Sequence, residues 1–506
     1  MGSMSFTQYS RPRPGAVLAV LLLVVGCAQV APPGAPGEPV ADAVETQIKL
    51  DMAAAQDGVD AIAAPLSLHE ALARGLKYNL DRRTKLLEEM IALGQYDVAS
   101  LDMLPRLVAQ SSYAWRSNDR TTRANPTIAE DKQHLLSDLS LSLNALDLGL
   151  GYYNTKQAAD RTLIAAERRR RATQALLQDV RTAWWRAASA QQLQGELRLA
   201  LQLGQEALGE SRKEESERLR NPVDSLRYQR QVLENMRLLE AVDQELSTAQ
   251  VELAGLINVR PGRTVLLAES PANTVEAALA VPVEVMEEVA LIQNADLREQ
   301  RYNGRIARIE TRKTLVRLFP NLQFSYGVKY DTDNYLLHHN WNEVGLQLSF
   351  NLFNLLTAPV QMKLAEAGVA LADQRRVASQ MAVLTQVHLA RMLLVNARKQ
   401  FERADAIWDI DSRIAQHIVN RERASTASKL ERISHDTTSI LSRLRRYQAL
   451  SQLQAAQSRM EAAVGLEPRV DPLNTTLPDL SRQLREGTNP WQDLVKPVAA
   501  PAPKAP

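Results

Sequence analysis

Residues 320–354 read PNLQFSYGVKYDTDNYLLHHNWNEVGLQLSFNLFN. From Asn321 the side chains alternate, with Leu322, Phe324, Tyr326, Val328 and Tyr330 on one face. Gln323, Ser325, Gly327, Lys329 and Asp331 take the other. After a polar tip the alternation resumes, with Val344, Leu346, Leu348, Phe350 and Leu352 opposing Glu343, Gly345, Gln347, Ser349 and Asn351. A period of two with aromatic and β-branched residues predicts a hairpin with one apolar face. Each run has about 10 residues, the length at which a tilted strand crosses a bilayer. Read alone, the stretch is a hairpin covering a soluble core.

Working outward, the same pattern recurs more faintly. Pro105 opens a run with Leu107, Ala109, Ser111, Tyr113 and Trp115 on one face. A polar segment (Ser117 to Lys132) follows, then Leu139, Leu141, Leu143 and Ala145 alternate with Asp138, Ser140, Ser142 and Asn144. The two hairpins share a register: Asn79 and Asn294, like Pro105 and Pro320, lie 215 residues apart. Asn144-Ala145-Leu146-Asp147 and Asn351-Leu352-Phe353-Asn354 lie 207 apart, and so do Val180 and Val387, and Asp224 and Glu431. Gly255-Leu256 and Gly465-Leu466, 210 apart, close the copies. A fixed offset over most of a chain marks a structural repeat. One copy covers 66–260 (hairpin 105–147), the other 283–467 (hairpin 320–354), joined by a connector at 261–282.

Each copy reads helix, β-hairpin, very long helix, helix. The first helix begins near Leu66, with Ser67 as cap, and runs with few breaks to Leu101. Residues 154–219 and 357–425 carry heptad-like apolar spacing with much Ala, and some 65 residues would span roughly 100 Å as helix. That length belongs to coiled coils. Ile433, Thr437, Ile440, Leu444 and Tyr447 continue the seam at steps of four and three.

Composition narrows the function classes. Lys+Arg 60 against Asp+Glu 58 gives no basic footprint for nucleic acid. One cysteine excludes an internal disulfide framework and a Cys-based zinc site. No Ser/His/Asp constellation, phosphate loop or paired-histidine helix is present, so no enzyme, cofactor or metal is expected. His338-His339, in a hairpin tip, reads as an exposed pair rather than a metal site. Arg168 to Arg171 reads as a solvated helix face, and Trp184-Trp185 as helix packing. After residue 30 no apolar run reaches the ~18–20 residues of a spanning helix, so an integral membrane contact falls to strands.

Residues 1–26 have the pattern of a secretory signal: Arg11 and Arg13, an apolar run from Ala16 to Val25, then Gly26 and Cys27. Val24-Val25-Gly26-Cys27 resembles the bacterial lipobox, in which the cysteine becomes the lipid-bearing (palmitate) first residue. Ala28 is not the aspartate that commonly retains such lipoproteins in the inner membrane. Residues 27–65, rich in Pro and Gly, read as an extended lipid-anchored linker. The proline-rich segment 468–506 reads as a tail whose last dozen residues are disordered.

Taken together, these pieces resemble the TolC family of bacterial outer-membrane channel proteins, across residues 66–467. The resemblance rests on the duplicated opening helices, Leu104-Pro105 and Phe319-Pro320, the two Asn-led strand-to-helix turns and the closing Gly-Leu pairs. It implies a mainly α chain with a membrane β-barrel part. In a homotrimer, four strands per subunit would build a 12-stranded barrel on a long periplasmic α-helical barrel. Elementary physics agrees in part: a bilayer tolerates only closed barrels, and four strands are too few to close. Leu322, Phe324, Tyr326, Leu348 and Phe350 would then face outer-membrane lipid.

Between the long helices lie Asn221-Pro222-Val223-Asp224 and Ser428-Lys429-Leu430-Glu431. Both are helix starts, with Asn221 or Ser428 as N-cap and an acid three residues on. In the TolC family this turn is the periplasmic mouth, where acidic residues constrict the pore. The resemblance therefore implies a gate role for Glu431, with Asp224 and Asp436 as further acids. The family's second acidic position is occupied by Ser434 here. Arg220, Asn221, Arg423 and Ser428 would meet a periplasmic adaptor that bridges to an inner-membrane pump, and Arg218, Arg220, Arg421 and Arg423 are candidate partners for the acids.

The function expected is a passive exit duct of a tripartite export system for drugs or toxic compounds. Its location would be the bacterial cell outer membrane, lipid-anchored and extending into the periplasm. A type I duct for secreted proteins is the alternative within that class. A lipid-anchored periplasmic coiled-coil scaffold is the alternative outside it.

Overall fold

A computed structural model describes residues 41–121, 128, 130–217, 221–260, 262–263, 265–268, 276–424, 428–468, 470–486 and 491. The chain divides into two compact units, Met1–Val59 and Asp60–Pro506. Helix α1 (Ala41–Gln56) dominates the described part of the first unit. The segment read as an extended linker therefore contains a helix. Its Pro/Gly-rich run ends at Pro39, Gly58 and Pro65 lie beyond the helix, and the Ala-rich run between carries a Glu45–Lys49 pair four residues apart. Cys27 and the rest of the signal lie outside the described residues.

The second unit holds both copies of the repeat. The first contains α2 (Leu68–Tyr78), α3 (Leu80–Leu101), β1 (Arg106–Trp115), β2 (Gln133–Asn144), α4 (Ala145–Ser216) and α5 (Pro222–Leu256). A short α6 (Glu276–Ala280) lies in the connector. The second copy contains α7 (Val283–Gln293), α8 (Ala295–Val316), β3 (Asn321–Asp331), β4 (Asn340–Ser349), α9 (Phe353–Arg423) and α10 (Lys429–Val464). Helix α11 (Leu477–Glu486) follows. At 72 and 71 residues, α4 and α9 each span roughly 110 Å.

The opening helix is two helices rather than one. Asn79 leaves the helical region (φ −60°, ψ 126°), and its side chain caps α3 by accepting from the Arg82 N–H. Asn294 has the same backbone (φ −60°, ψ 129°) and caps α8 through the N–H groups of Asp296 and Leu297. An apolar stripe running through the junction hides the break from periodicity. Asparagine, which competes for backbone donors, makes it.

The register of the repeat is sharper than the sequence suggests. Asn258 (φ 55°) and Gly465 (φ 84°) are the left-handed residues that end α5 and α10, 207 apart. Asn258 N–H donates to the Gly255 carbonyl and Val259 N–H to that of Ala254. Gly465 N–H donates to Ala462 and Leu466 N–H to Glu461, again shifted by 207. This is one helix-ending motif used twice. The Gly-Leu pairs, 210 apart, are therefore three residues out of register, because asparagine fills the glycine position of the first copy.

All four strands form one antiparallel sheet in the order β1-β2-β3-β4. The helices follow a matching order. Toward the sheet, α3 packs on α4, α4 on α8 and α8 on α9; further away, α5 packs on α4, α4 on α10 and α10 on α9. The expected seam is buried at all five positions, Ile433 to Tyr447. Ile440, Leu444 and Tyr447 join Leu193, Leu197, Leu239 and Val242 in one core. A second core joins α7, α8, α9 and α10, and Trp491 is fully buried within it. With α11 packed on α2, the segment after Pro468 touches both repeats; its last dozen residues lie outside the described ones. Trp184 and Trp185 are buried, edge to face, as helix packing predicts.

Candidate functional site

In the sheet, strand pairing sets Leu322 opposite Leu348, Phe324 opposite Leu346 and Tyr326 opposite Val344. Across the β2–β3 seam, Leu139, Leu141 and Leu143 oppose Val328, Tyr326 and Phe324, and Leu107 opposes Leu141 across β1–β2. A single continuous face thus carries the large apolar side chains. It is open: Leu107, Leu139, Phe324, Val344, Leu346 and Leu348 are all exposed. The opposite face aligns Asn144 with Gln323 and Ser142 with Ser325, and Gln323 in turn with Gln347. Lys329 and Glu343 pair there at 2.7 Å. Phe350 lies one residue beyond β4, where the chain turns toward α9, so it does not belong to a strand.

The sheet has two unpaired edges, β1 and β4. The helical layers end likewise. Leu87, Met90, Ile91 and Leu101 are exposed on α3, and Leu356, Val360, Leu364 and Leu371 on α9. Exposed strand edges and apolar stripes on this scale are surfaces awaiting a partner. No helix among the described residues is long and apolar enough to cross a membrane.

At the far ends of the long helices the predicted caps are present. Asn221 Oδ1 accepts from the Val223 N–H at 3.0 Å with Pro222 in the first turn, and Ser428 Oγ accepts from the Glu431 N–H at 3.1 Å. Asp224 is exposed and meets only Arg227, at 3.5 Å, among the described residues.

Glu431 does more than support the helix start. Its carboxylate accepts from Arg421 Nη1 at 3.1 Å, across the turn from the end of α9. One residue on, Arg432 Nη1 donates to Glu422 Oε2 at 2.7 Å. Arg432 Nε lies 3.4 Å from Asp436 Oδ2, close enough for charge attraction but without hydrogen-bond geometry. Lys429 reaches Glu210 on α4 at 2.6 Å. Burial pushes the Asp436 pKa above the usual carboxylate range, with Arg432 opposing the shift. Burial also works against the charge of Arg432, but Glu422 and Asp436 outweigh it and raise its pKa.

Of the expected mouth acids, then, Glu431 and Asp436 each meet an arginine at the α9–α10 turn, Arg421 and Arg432 respectively, whereas Asp224 sits apart on the other tip. Arg423 is exposed, and Arg218 and Arg220 lie outside the described residues. Sequence reading missed Glu422, Arg432, Lys429 and Glu210. One signal was available: Arg421-Glu422 and Glu431-Arg432 are mirrored dipeptides flanking a turn.

The run Arg168 to Arg171 is only in part a solvated face: Arg168 and Arg171 are exposed, whereas Arg169 and Arg170 are half-buried. Arg170 is 15% exposed and donates to Glu467, to the Gln293 carbonyl at 2.8 Å and to the Gly465 carbonyl. Arg168 and Arg171 both hold Glu299. The four arginines join the long helix of the first repeat to residues of both repeats.

No protein-family profile matches the chain, and no curated protein matches it in sequence. Solved structures do match in fold. The CmeC outer membrane channel of Campylobacter jejuni superposes with a TM-score of 0.65 at 12% identity, covering 82% of this chain and 89% of its own. The open state of the MtrE outer membrane channel of Neisseria gonorrhoeae gives 0.60 at 15%, covering 79% and 89%. The outer membrane protein VceC of Vibrio cholerae gives 0.59 at 14%, covering 79% and 96%. The chain has the fold of these outer-membrane proteins.

Proposed function

We propose that this chain is the outer-membrane exit duct of a tripartite export system, passive in itself and open to small molecules such as drugs or toxic compounds. The observation that carries the reading is the sheet: one continuous exposed apolar face, one polar face and two unpaired edges. Such a sheet is at home where lipid covers the apolar face and copies of the chain cover the edges. Joining β1 of one copy to β4 of the next closes a barrel, and three copies give twelve strands. The apolar edges of α3 and α9 would meet in the same ring. The likeness to solved outer-membrane channels supports this assembly and its partners, a periplasmic adaptor and an inner-membrane pump.

Within this reading Leu322, Phe324, Tyr326 and Leu348 face lipid, and Cys27 carries the lipid anchor. Residues at the tips, Arg220, Asn221, Arg423 and Ser428, meet the adaptor. Glu431, with Asp224 and Asp436, forms the periplasmic mouth. The Arg421–Glu431 and Glu422–Arg432 pairs tie α9 to α10 at that mouth.

The test is electrical. Purified protein added to a planar lipid bilayer should give discrete ionic currents, and Glu431→Gln should raise the conductance or alter its block by cations. A protein that enters bilayers but never conducts would contradict the duct and favour the scaffold.

A further inference from the structure

At the end of the sheet remote from the helices, the β1–β2 and β3–β4 loops are stitched together. Asp131 N–H donates to Asp333 Oδ1 at 3.0 Å, and the backbone and side-chain N–H groups of Asn334 donate to Asp131 Oδ2 at 2.8 and 2.7 Å. Thr332 and Leu135 exchange two more bonds, through Thr332 Oγ1 and the Leu135 carbonyl. His134 stands between the loops. Its Nε2 lies 3.7 Å from Glu130 Oε1 and its Nδ1 3.7 Å from Asp331 Oδ1. The Nδ1 atom is shielded from solvent and makes no hydrogen bond.

The surrounding charge is unbalanced. Glu130, Asp131, Asp331 and Asp333 gather here, and Asp331 and Asp333 are buried. Arg116 and Arg120 both pair with Glu130, while Lys132 is engaged by Asp119. The His339 ring contacts the Asp331 backbone carbonyl at 3.0 Å, and no carboxylate among the described residues. Among the described residues, Asp131, Asp331 and Asp333 form no ion pair with lysine or arginine. Buried carboxylates are costly without a counter-charge, and His134 is the group placed to supply one.

We propose that His134 is a proton-dependent clasp between the two loops. A neutral imidazole has one N–H and can donate to one carboxylate, leaving a lone pair facing the other. Protonated, it donates to both and draws the Glu130 and Asp331 contacts to hydrogen-bond distance. Imidazoles titrate between about pH 5 and 8. Protonation, and with it the clasp, is favoured as pH falls.

Hydrogen exchange on the full, membrane-assembled protein tests this, with each rate divided by its intrinsic value to remove the chemical pH effect. Protection of the Asp131, Leu135, Asp333 and Asn334 amides should be about three- to tenfold higher at pH 5.5 than at pH 7.5. His134→Gln should give equal protection at the two pH values, and Glu130→Gln a smaller gain than the wild type. His339→Gln should keep the full gain. A wild type without the pH effect, or a His134→Gln protein that retains it, overturns the proposal. If His134→Gln fails to assemble, an undiminished gain in Glu130→Gln overturns it.

Discussion

Asn79 and Asn294 perform the same task in the two repeats. Each caps the helix that leads toward the sheet, and each donates its side-chain N–H to the end of the helix returning from the tips. The acceptors are the Leu256 carbonyl at 3.1 Å and the Ala463 carbonyl at 3.0 Å, which are 207 residues apart. One side chain thus closes two helix termini that would otherwise leave buried backbone groups unpaired. Asn294→Ala should cost about 1–2 kcal/mol of stability, and Asn79→Ala a similar amount, read as a lower melting temperature of the purified protein.

Gly465 and Asn258 make a second contrast. A Cβ on Gly465 would sit 2.6–2.8 Å from backbone atoms of Gln293 and Asn294, and the residue is left-handed. Gly465→Ala should therefore destabilise by at least about 2 kcal/mol. Asn258→Gly keeps the left-handed backbone with no new contact and should cost less than Gly465→Ala. Equilibrium unfolding of both variants distinguishes a strict steric requirement from a mere turn preference.

Arg170 should be the sensitive member of its run. Arg170→Ala leaves Glu467 and two helix-end carbonyls without their donor, at a cost of about 2–4 kcal/mol. Arg168→Ala should cost under about 1 kcal/mol, since Arg171 still holds Glu299. Melting temperatures of the two variants should differ accordingly.

Asp436 gives a pH-dependent expectation. Its native pKa is raised above the unfolded value by burial. Between those two values the folded chain binds more protons, so stability increases as pH falls through the window. Above the native pKa the ionised form is a net burden. Asp436→Asn should accordingly melt higher than wild type at pH 7, and the difference should shrink as pH falls below the carboxylate range.

How much of this was legible in the sequence depends on distance along the chain. The strands were readable because each face of a two-faced strand prints its chemistry at every second residue, as in Leu322 to Asp331. The helix caps at Asn221 and Ser428 were readable because cap and recipient N–H lie two or three residues apart. Arg170 was not, since apart from Glu167 its acceptors lie from 123 to 297 residues away. The same holds for His134, whose Asp331 neighbour belongs to the other repeat. The break at Asn79 was missed for a different reason: an amphipathic stripe continues through it. At the α9–α10 turn, the acids were visible singly, but the Glu422–Arg432 partnership needed the turn geometry.

The central claim is that the apolar face of the sheet meets lipid, and substituting both faces with one residue type tests it most directly. Phe324→Arg and Leu348→Arg place a charge on that face, at about 2–4 kcal/mol per midplane charge. Ser325→Arg and Gln347→Arg place it on the polar face. The measurement is the fraction of each variant recovered as assembled oligomer in the outer membrane. The account predicts loss of assembly for Phe324→Arg and Leu348→Arg, with Ser325→Arg and Gln347→Arg close to wild type. Normal assembly of the Phe324 and Leu348 variants would contradict it.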